Sequence, residues 1–545
     1  MKLDGDRIRE LTLNLVGIRS VVGTREENHV SERIKEILGA MPYFRENPDH
    51  LFYVENKDDP AGRKSLMAMV RGTKDRNPKG VVLIGHIDTV GTSDYGDLED
   101  LATDPVTLTE EFRQLELPER VKEDLESGNY LFGRGVLDMI SGVSILIHLL
   151  EEAAKDPENF SGSLVAAFVS DEEGNSRGML SCVPELVKLK KKYSLEYQMA
   201  LDTDYTSTRT LMDPNRYLYA GTIGKLMPSF YIVGKETHVG DPFGGLDANE
   251  IAAELIRRIN LNVDLSDDVM GEVTVPPVTL RLRDLKPEYS VQTNRDSFVY
   301  FNFATHDSTP SKVLHRLMHV ANDAFLDVIE KLNRQYLSFT EKMDLPHKKL
   351  PWVSKVYTYD EVYDAVAAKM PHIREELDQY ARGLMDKGIT DEREVSLHLV
   401  KKLHGLWGKK DPMIILYFSP PYYPHMAVSG KNEVEKKLIR TLKDQSDESL
   451  PNPIRFRKFY PYISDLSYFS LPDEASVTDL RRNMPGFGIS YTLPLEDIKE
   501  LSLPVTNIGP YGFDAHQYTE RIEVDYSFYR LPDIVLKTVL KMLEE

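Results

Sequence analysis

The chain has 545 residues, 41% hydrophobic and 28% charged, the composition of a globular protein too long for a single core. Its 67 Lys and Arg against 87 Asp and Glu leave a formal charge of -20, which argues against nucleic acid or an anionic membrane as the main partner. One cysteine, Cys182, excludes an internal disulfide framework, confines any metal site to His, Asp and Glu, and fits a reducing compartment. The N-terminal MKLDGDRIRELTLNLVGI carries charges every few residues and lacks the form of a secretory signal, and no run approaches the ~18 apolar residues of a membrane span. A soluble, cytoplasmic protein is expected.

Residues 1–215 read as alternating helices and strands. A helix over roughly residues 5–18 and a second from Glu27 precede VVLIG (81–85), a continuous apolar run that marks a strand buried on both faces. MISGVSILIHLLEEAAKD carries apolar residues at Ile140, Val143, Ile147 and Leu150, the spacing of a helix packed on that sheet. SLVAAFVS (163–170) and EYQMALDT (196–203) are further buried strands, so the order is α/β. From about Tyr217 the character changes. GKLMPSFYIVG reads as an edge-tolerant strand, DANEIAAELIRRINL as an amphipathic helix, and VTLRLRDL and RDSFVYFNFATHD as antiparallel strands. SKVLHRLMHVANDAFLDVIEKLNRQY closes a small α+β unit over 216–336. Residues 337–405, with YDEVYDAVAAKM and IREELDQYARGLMDKG, read as a helical insertion. The α/β pattern is expected to resume over 406–545, from MIILYFSPPYYP through NEVEKKLIRTLKDQ, IRFRKFYPYISD and LPVTNIGPYG to a closing helix. The second domain thus splits the first.

Acidic and histidine residues recur where these strands give way to loops. His86 and Asp88 lie in VVLIGHIDTV, Asp138 in GRGVLDMISG, Glu172 and Glu173 in AAFVSDEEGNS, Asp202 in MALDTDY and His516 in GPYGFDAHQ. Ligands of open α/β sheets sit at the carboxyl ends of strands, and His86, Glu172, Glu173 and Asp202 each follow an apolar strand at that end. Mixed carboxylate and imidazole donors suit zinc-like divalent ions, and two such ions side by side make a hydrolytic centre. On that reading His86 ligates through one ring nitrogen while the Asp88 carboxylate holds the other. Of the adjacent glutamates, one binds metal while its neighbour takes a proton from water. Each residue also has a plainer reading. His86 is then a strand-end histidine bonded to a loop, Asp138 a carboxylate at a helix N-terminus, Glu172 and Glu173 a solvated turn, and His238 in GKETHVGDPFGG a surface histidine. Asp204 competes with Asp202, which lies closer to the strand end.

The order GHIDTV, GRGVLDMISG, DEEGNSRG, ALDTDY, GKETHVGDPFGGLDANEIAAELI and GFDAHQYTERIEV resembles the M20 family of metallopeptidases and N-acyl-amino-acid deacylases. The resemblance covers both ends of the chain and the small domain between them, and leaves residues 337–405 unexplained. Length and the tract PYISDLSYFS resemble the arginine-utilisation branch of that family. The resemblance implies a zinc-peptidase-like mixed sheet with flanking helices, interrupted by a smaller α+β lid and dimerisation domain. It implies two zinc ions, replaceable by cobalt or manganese, held by His86, Asp138, Glu173, Asp202 and His516. Asp138 would bridge, Glu172 would be the general base, Asp88 would orient His86, and His238 would donate to an oxyanion.

Three departures from the family pattern stand out. Asp202-Thr203 replaces a common Glu-Pro, and Ile140 replaces a lysine. VQTNRDSFVYFNFATHD offers Asn294 for substrate binding but has Thr305 where the family has an arginine, a role left to Arg281 or Arg283. The expected activity is cleavage of an amide bond in a small peptide or N-acyl amino acid, by a homodimer formed through residues 216–336. One alternative is hydrolysis of an arginine-derived amidine or carbamoyl compound. The other is a catalytically silent binding or regulatory member, against which the intact Glu172-Glu173 pair argues.

Overall fold

Apolar runs without polar alternation become the centre of the larger sheet. The computed structural model describes every residue except 58, 211, 472, 473 and 545, with residues 474–476 described in their backbone alone. In chain order the first strands are β1 (Leu51–Glu55), β2 (Lys64–Arg71), β3 (Lys79–His86), β4 (Tyr130–Phe132), β5 (Ser163–Val169), β6 (Glu196–Asp202) and β7 (Arg216–Ala220). Next come β8 (Gly224–Leu226), β9 (Pro228–Val233), β10 (Asp268–Val269), β11 (Glu272–Val273), β12 (Val278–Asp284), β13 (Asp296–Thr305), β14 (Val356–Thr358) and β15 (Met413–Phe418). The last are β16 (Ile454–Arg457), β17 (Val505–Asn507), β18 (Gly512–Phe513) and β19 (Arg521–Glu523). The chain divides into one unit of Met1–Thr222, Met426–Leu471 and Pro494–Glu545, and another of Ile223–His425 and Pro472–Leu493.

In the first unit an eight-stranded sheet runs β1-β2-β5-β3-β6-β17-β7-β16. Its middle strands, β5, β3, β6 and β17, are parallel. Parallel strands need helical crossovers that cover the sheet faces, which is why β3, β5 and β6 are buried nearly end to end. The helix Ile140–Lys155 packs against β3 and β2, and the helix Arg177–Tyr193 against β5 and β2. Periodicity predicts one apolar stripe on Ile140–Lys155, yet nearly the whole helix is buried, because the helix Gly5–Val16 covers its other side. The four parallel strands all release the chain at the same edge. His86 pairs with Val169 there, and Ile84 and Asn507 each pair with Asp202.

In the second unit a six-stranded sheet runs β12-β13-β9-β15-β14, with β8 paired to β13. One face, carrying Tyr231, Phe298, Tyr300, Ile415 and Tyr417, packs on the helices Tyr359–Ala367, Ile373–Met385 and Glu392–Trp407. Alternation leaves Phe230, Ile232, Val299 and Phe301 for the opposite face, where the helices Ala248–Ile259 and Pro310–Lys342 lie. Residues 359–407 are thus a second helical layer on this sheet. Two elements differ from the sequence reading. MIILYFSPPYYP, expected to resume the first domain, gives β15, which pairs with β9 in the second sheet, and the first unit resumes at Met426. A uniformly apolar run fits the centre of either sheet, so its composition does not choose between them. The strand read as edge-tolerant, β9, is central, because Pro228 occupies its first position and removes no donor from its interior. Among the described residues no helix is long and apolar enough to cross a membrane.

The contact between the first helix and Ile140–Lys155 is locked by a half-buried ion pair. Glu151 accepts from Arg7 Nη2 at 2.7 Å and from His148 Nδ1 at 2.9 Å. Burial alone would raise the Glu151 carboxyl, but the bonds from His148 and Arg7 outweigh it and hold it at about 2. A depressed carboxylate contributes stability above its ordinary pKa and loses it as pH falls through the folded value. Glu151→Gln is expected to cost about 1–3 kcal/mol at neutral pH. Its stability should then fall less than the parent's between about pH 5 and about pH 2. Urea melts across that window check this, and parallel curves for the two proteins contradict it.

Candidate metal centre

The shared edge of the parallel strands gathers the acids and histidines of the first unit. His86 is the last residue of β3, Glu172 and Glu173 follow β5, and Asp202 ends β6. Asp138 comes from the turn before the helix Ile140–Lys155, joined to Met139 by a cis peptide bond. His516 comes from the loop between β18 and β19, with a left-handed backbone at φ 66°. Asp138 Oδ1 lies 3.0 Å from His86 Nε2, and Asp138 Oδ2 lies 3.0 Å from His516 Nε2. His516 Nε2 also lies 2.7 Å from Glu173 Oε1. One carboxylate therefore turns one oxygen to each of two imidazoles. The donor atoms of His86, Asp138 and Glu173 all fall within 4.8 Å of one another, a group able to hold a metal ion.

The loop bearing Glu172 and Glu173 is held by two buried carboxylates. Asp88 Oδ1 accepts from the Glu172 amide at 3.2 Å and Oδ2 from the Glu173 amide at 3.0 Å. Glu27 Oε2 accepts from the Asp171 amide at 2.8 Å, and its Oε1 accepts from Arg63 at 3.0 Å. Arg63 in turn reaches Asp171 at 2.5 Å, which steadies that residue at φ 66°, a backbone that non-glycine residues seldom adopt. The expected contact of the Asp88 carboxylate with His86 is corrected here. His86 Nδ1 lies 3.0 Å from the Asp88 main-chain carbonyl and 3.8 Å from its carboxylate. The carboxylate faces the loop amides, and the carbonyl orients the imidazole.

After β6, Asp202 Oδ2 accepts from Ser464 Oγ at 2.7 Å, and Asp204 Oδ2 accepts from Tyr460 Oη at 2.8 Å. Two glycines let this loop sit close to its neighbours. A Cβ on Gly142 would lie 2.1 Å from the Thr203 carbonyl oxygen, and one on Gly509 1.6 Å from that of Asp204. Burial pushes Asp202 up to about 6, and burial with the charges of Asp138 and Asp202 pushes Asp204 well above the usual carboxylate range. Asp465 is buried beside them, raised by burial and then by Asp202. Ser464, Asp465 and Tyr460 were not singled out from sequence. Their one signal is the tract FYPYISDLSYFS, whose charge and aromatic content do not announce a site.

Charge decides what such a cluster is suited to bind. Among the described residues, no Lys or Arg pairs with Asp88, Asp138, Glu172, Glu173, Asp202, Asp204 or Asp465. Among the described residues, the imidazoles of His86 and His516 are the basic groups that pair with this set of carboxylates. Uncompensated buried carboxylates cost several kcal/mol each, so the donor set fits divalent cations. The Glu172 carboxylate, half-buried, makes no hydrogen bond among the described residues.

The oxyanion-donor candidate His238 and the substrate-binding candidates Asn294, Arg281 and Arg283 belong to the second unit. His238 is exposed, and its Nδ1 accepts from the Gly240 amide at 3.0 Å. Asn294 is buried, with Nδ2 bonded to Asn249 at 2.9 Å and Ser297 at 2.7 Å. Arg281 and Arg283 both pair with Glu394, at 3.4 and 2.8 Å.

The family model for Peptidase family M20/M25/M40 matches residues 82–341. Protein RocB of Bacillus subtilis (strain 168) is 34% identical, over 99% of this chain and 95% of its own length. The chain belongs to the M20 peptidase family. This M20 member is a metal-dependent hydrolase, as its motifs implied. The uncharacterized protein YqjN of the same organism is 35% identical over 99% of this chain and 97% of its own. In fold the chain is similar to a solved tripeptidase of Staphylococcus aureus subsp. aureus mu50, with a TM-score of 0.53 at 13% identity and 100% of both chains covered. The mixed α/β architecture expected of the family is thereby borne out.

Asp88→Ala removes the acceptor for two loop amides. Turnover and metal retention are expected to fall together by about 10–100-fold, as for other groups that support ligands. Parallel kinetic and metal-content measurements check this, and parent values for both show that the loop keeps its shape without Asp88.

Proposed function

We propose that this M20 hydrolase uses two divalent zinc ions to cleave an amide bond in a small peptide or N-acyl amino acid. The observation that carries the reading is Asp138, with one oxygen toward His86 and the other toward His516. His86 and Asp202 would hold one ion, Glu173 and His516 the other, and Asp138 both. Bound there, such ions lower the pKa of water towards ~7 and polarise a carbonyl. Glu172 accepts the proton of the attacking water, since its amide is fixed by Asp88 while its carboxylate is left unbonded among the described residues. The same carboxylate then returns the proton to the leaving amine nitrogen.

His238 is proposed as the donor to the oxyanion. The Gly240 amide donates to Nδ1, so the neutral ring carries its proton on Nε2, ready to donate. A homodimer is part of the proposal. Edge strand β12 exposes Val278, Leu280 and Leu282 at 37%, 50% and 48%, an apolar stripe beside open backbone that a second copy can cover.

Glu172→Gln should keep its metal and lose about 10²–10⁴ in kcat. A panel of dipeptides, N-acyl amino acids and arginine derivatives, run with and without a chelator, identifies the bond. Near-parent turnover by Glu172→Gln would sink the mechanism, and cleavage confined to amidine or carbamoyl compounds would move it to that class. For the dimer, light scattering of the parent should give twice the chain mass, and Leu280→Asp with Leu282→Asp should give the chain mass alone. A monomeric parent removes the dimer from the proposal.

A further inference from the structure

The turn that presents Asp138 closes around a single buried side chain that none of the roles above uses. Glu520, fully buried, lies four residues after His516. Its Oε1 accepts from the main-chain amides of Gly135 at 2.9 Å, Leu137 at 3.2 Å and Asp138 at 3.3 Å. Its Oε2 accepts from Arg134 Nη1 at 2.7 Å. Arg134 is itself buried, and its other nitrogen, Nη2, bonds both oxygens of Asp94 at 2.9 and 2.8 Å. The Glu520 carbonyl also accepts from the Gly133 amide at 3.1 Å. Both turns meet at this one residue.

We infer that Glu520 is a positioning residue that fixes Asp138 and His516 relative to each other, and so sets the spacing of the two-ion centre proposed above, on which this inference rests. Every partner of its side chain is a donor: three amides at one oxygen and a guanidinium at the other. Only an ionised carboxylate offers acceptors at both ends and no hydrogen. A glutamine of the same shape must turn its NH₂ towards either the amides or Arg134, and so leaves a buried donor facing a donor. The charge of Glu520 is answered by Arg134, which distinguishes it from the carboxylates that face the histidines without a cation. It acts as an internal anchor for the turn, outside the donor set.

The test loads the metal-free 545-residue chain with Co²⁺ and follows uptake by visible absorption and calorimetry. The parent should bind two cobalt ions. Glu520→Gln should bind them about 10–100-fold more weakly, with altered cobalt bands, as supporting residues of metal sites do. Its kcat should fall with KM little changed, while the unfolding midpoint of the metal-free form stays close to the parent's. Glu520→Asp, which keeps the charge one methylene short, should recover part of the affinity. It also serves alone if the glutamine variant does not fold, with cobalt binding still weaker than the parent's. Parent affinity and spectrum in these variants overturn the role of Glu520 and leave the two-ion reading standing. A parent that takes up no cobalt overturns that reading and this inference together.

Discussion

The centre depends on buried carboxylates that accept main-chain amides at the ends of strands. A parallel sheet delivers several chain segments to one edge, but it leaves the loops there without ladder partners. Asp88 and Glu27 supply acceptors for the loop after β5, and Glu520 for the turn before Asp138. Each satisfies donors that would otherwise be buried unpaired, and each fixes a backbone from which a donor side chain projects. The geometry at the histidines follows from these hidden anions as much as from the strands.

Two kinds of acid therefore share the first unit. Glu27 and Glu520 are paired with Arg63 and Arg134, although burial still raises both above the usual carboxylate range. Asp138, Glu173, Asp202, Asp204 and Asp465 have no such arginine among the described residues. Burial has raised several of them above the usual carboxylate range. Asp88 belongs with the frame by its bonds to the Glu172 and Glu173 amides, though no arginine answers it among the described residues, so the partners of each carboxylate, amides or imidazoles, draw the line.

Much of this was legible in the sequence, and the rest was illegible for definite reasons. Strand-end placement picked out His86, Glu172, Glu173 and Asp202, because a polar residue after an apolar run is conspicuous, whereas Asp138 and His516 rested on the motifs around them. The contact of His86 with a carbonyl instead of the Asp88 carboxylate was not legible, since main-chain acceptors belong to every residue alike. Glu520 in QYTERIEV looks like any surface glutamate, because its partners lie in a turn far earlier in the chain. The placement of β15 was hidden by its uniform apolarity, which matches the interior of both sheets. Residues 359–407 showed helical spacing but not which sheet face they cover, because that face is made by β9, β13 and β15.

The linkage of Arg134 to Glu520 spans 386 residues of chain. During synthesis the strands β3, β5 and β6 can pair, and the second unit can fold, long before Glu520 leaves the ribosome. Until it does, the turn of Asp138 lacks its anchor and His516 is absent, so His86, Asp138 and Glu173 meet without the residues that fix their spacing. The order of translation thus places the closing of that turn after the pairing of the strands it serves.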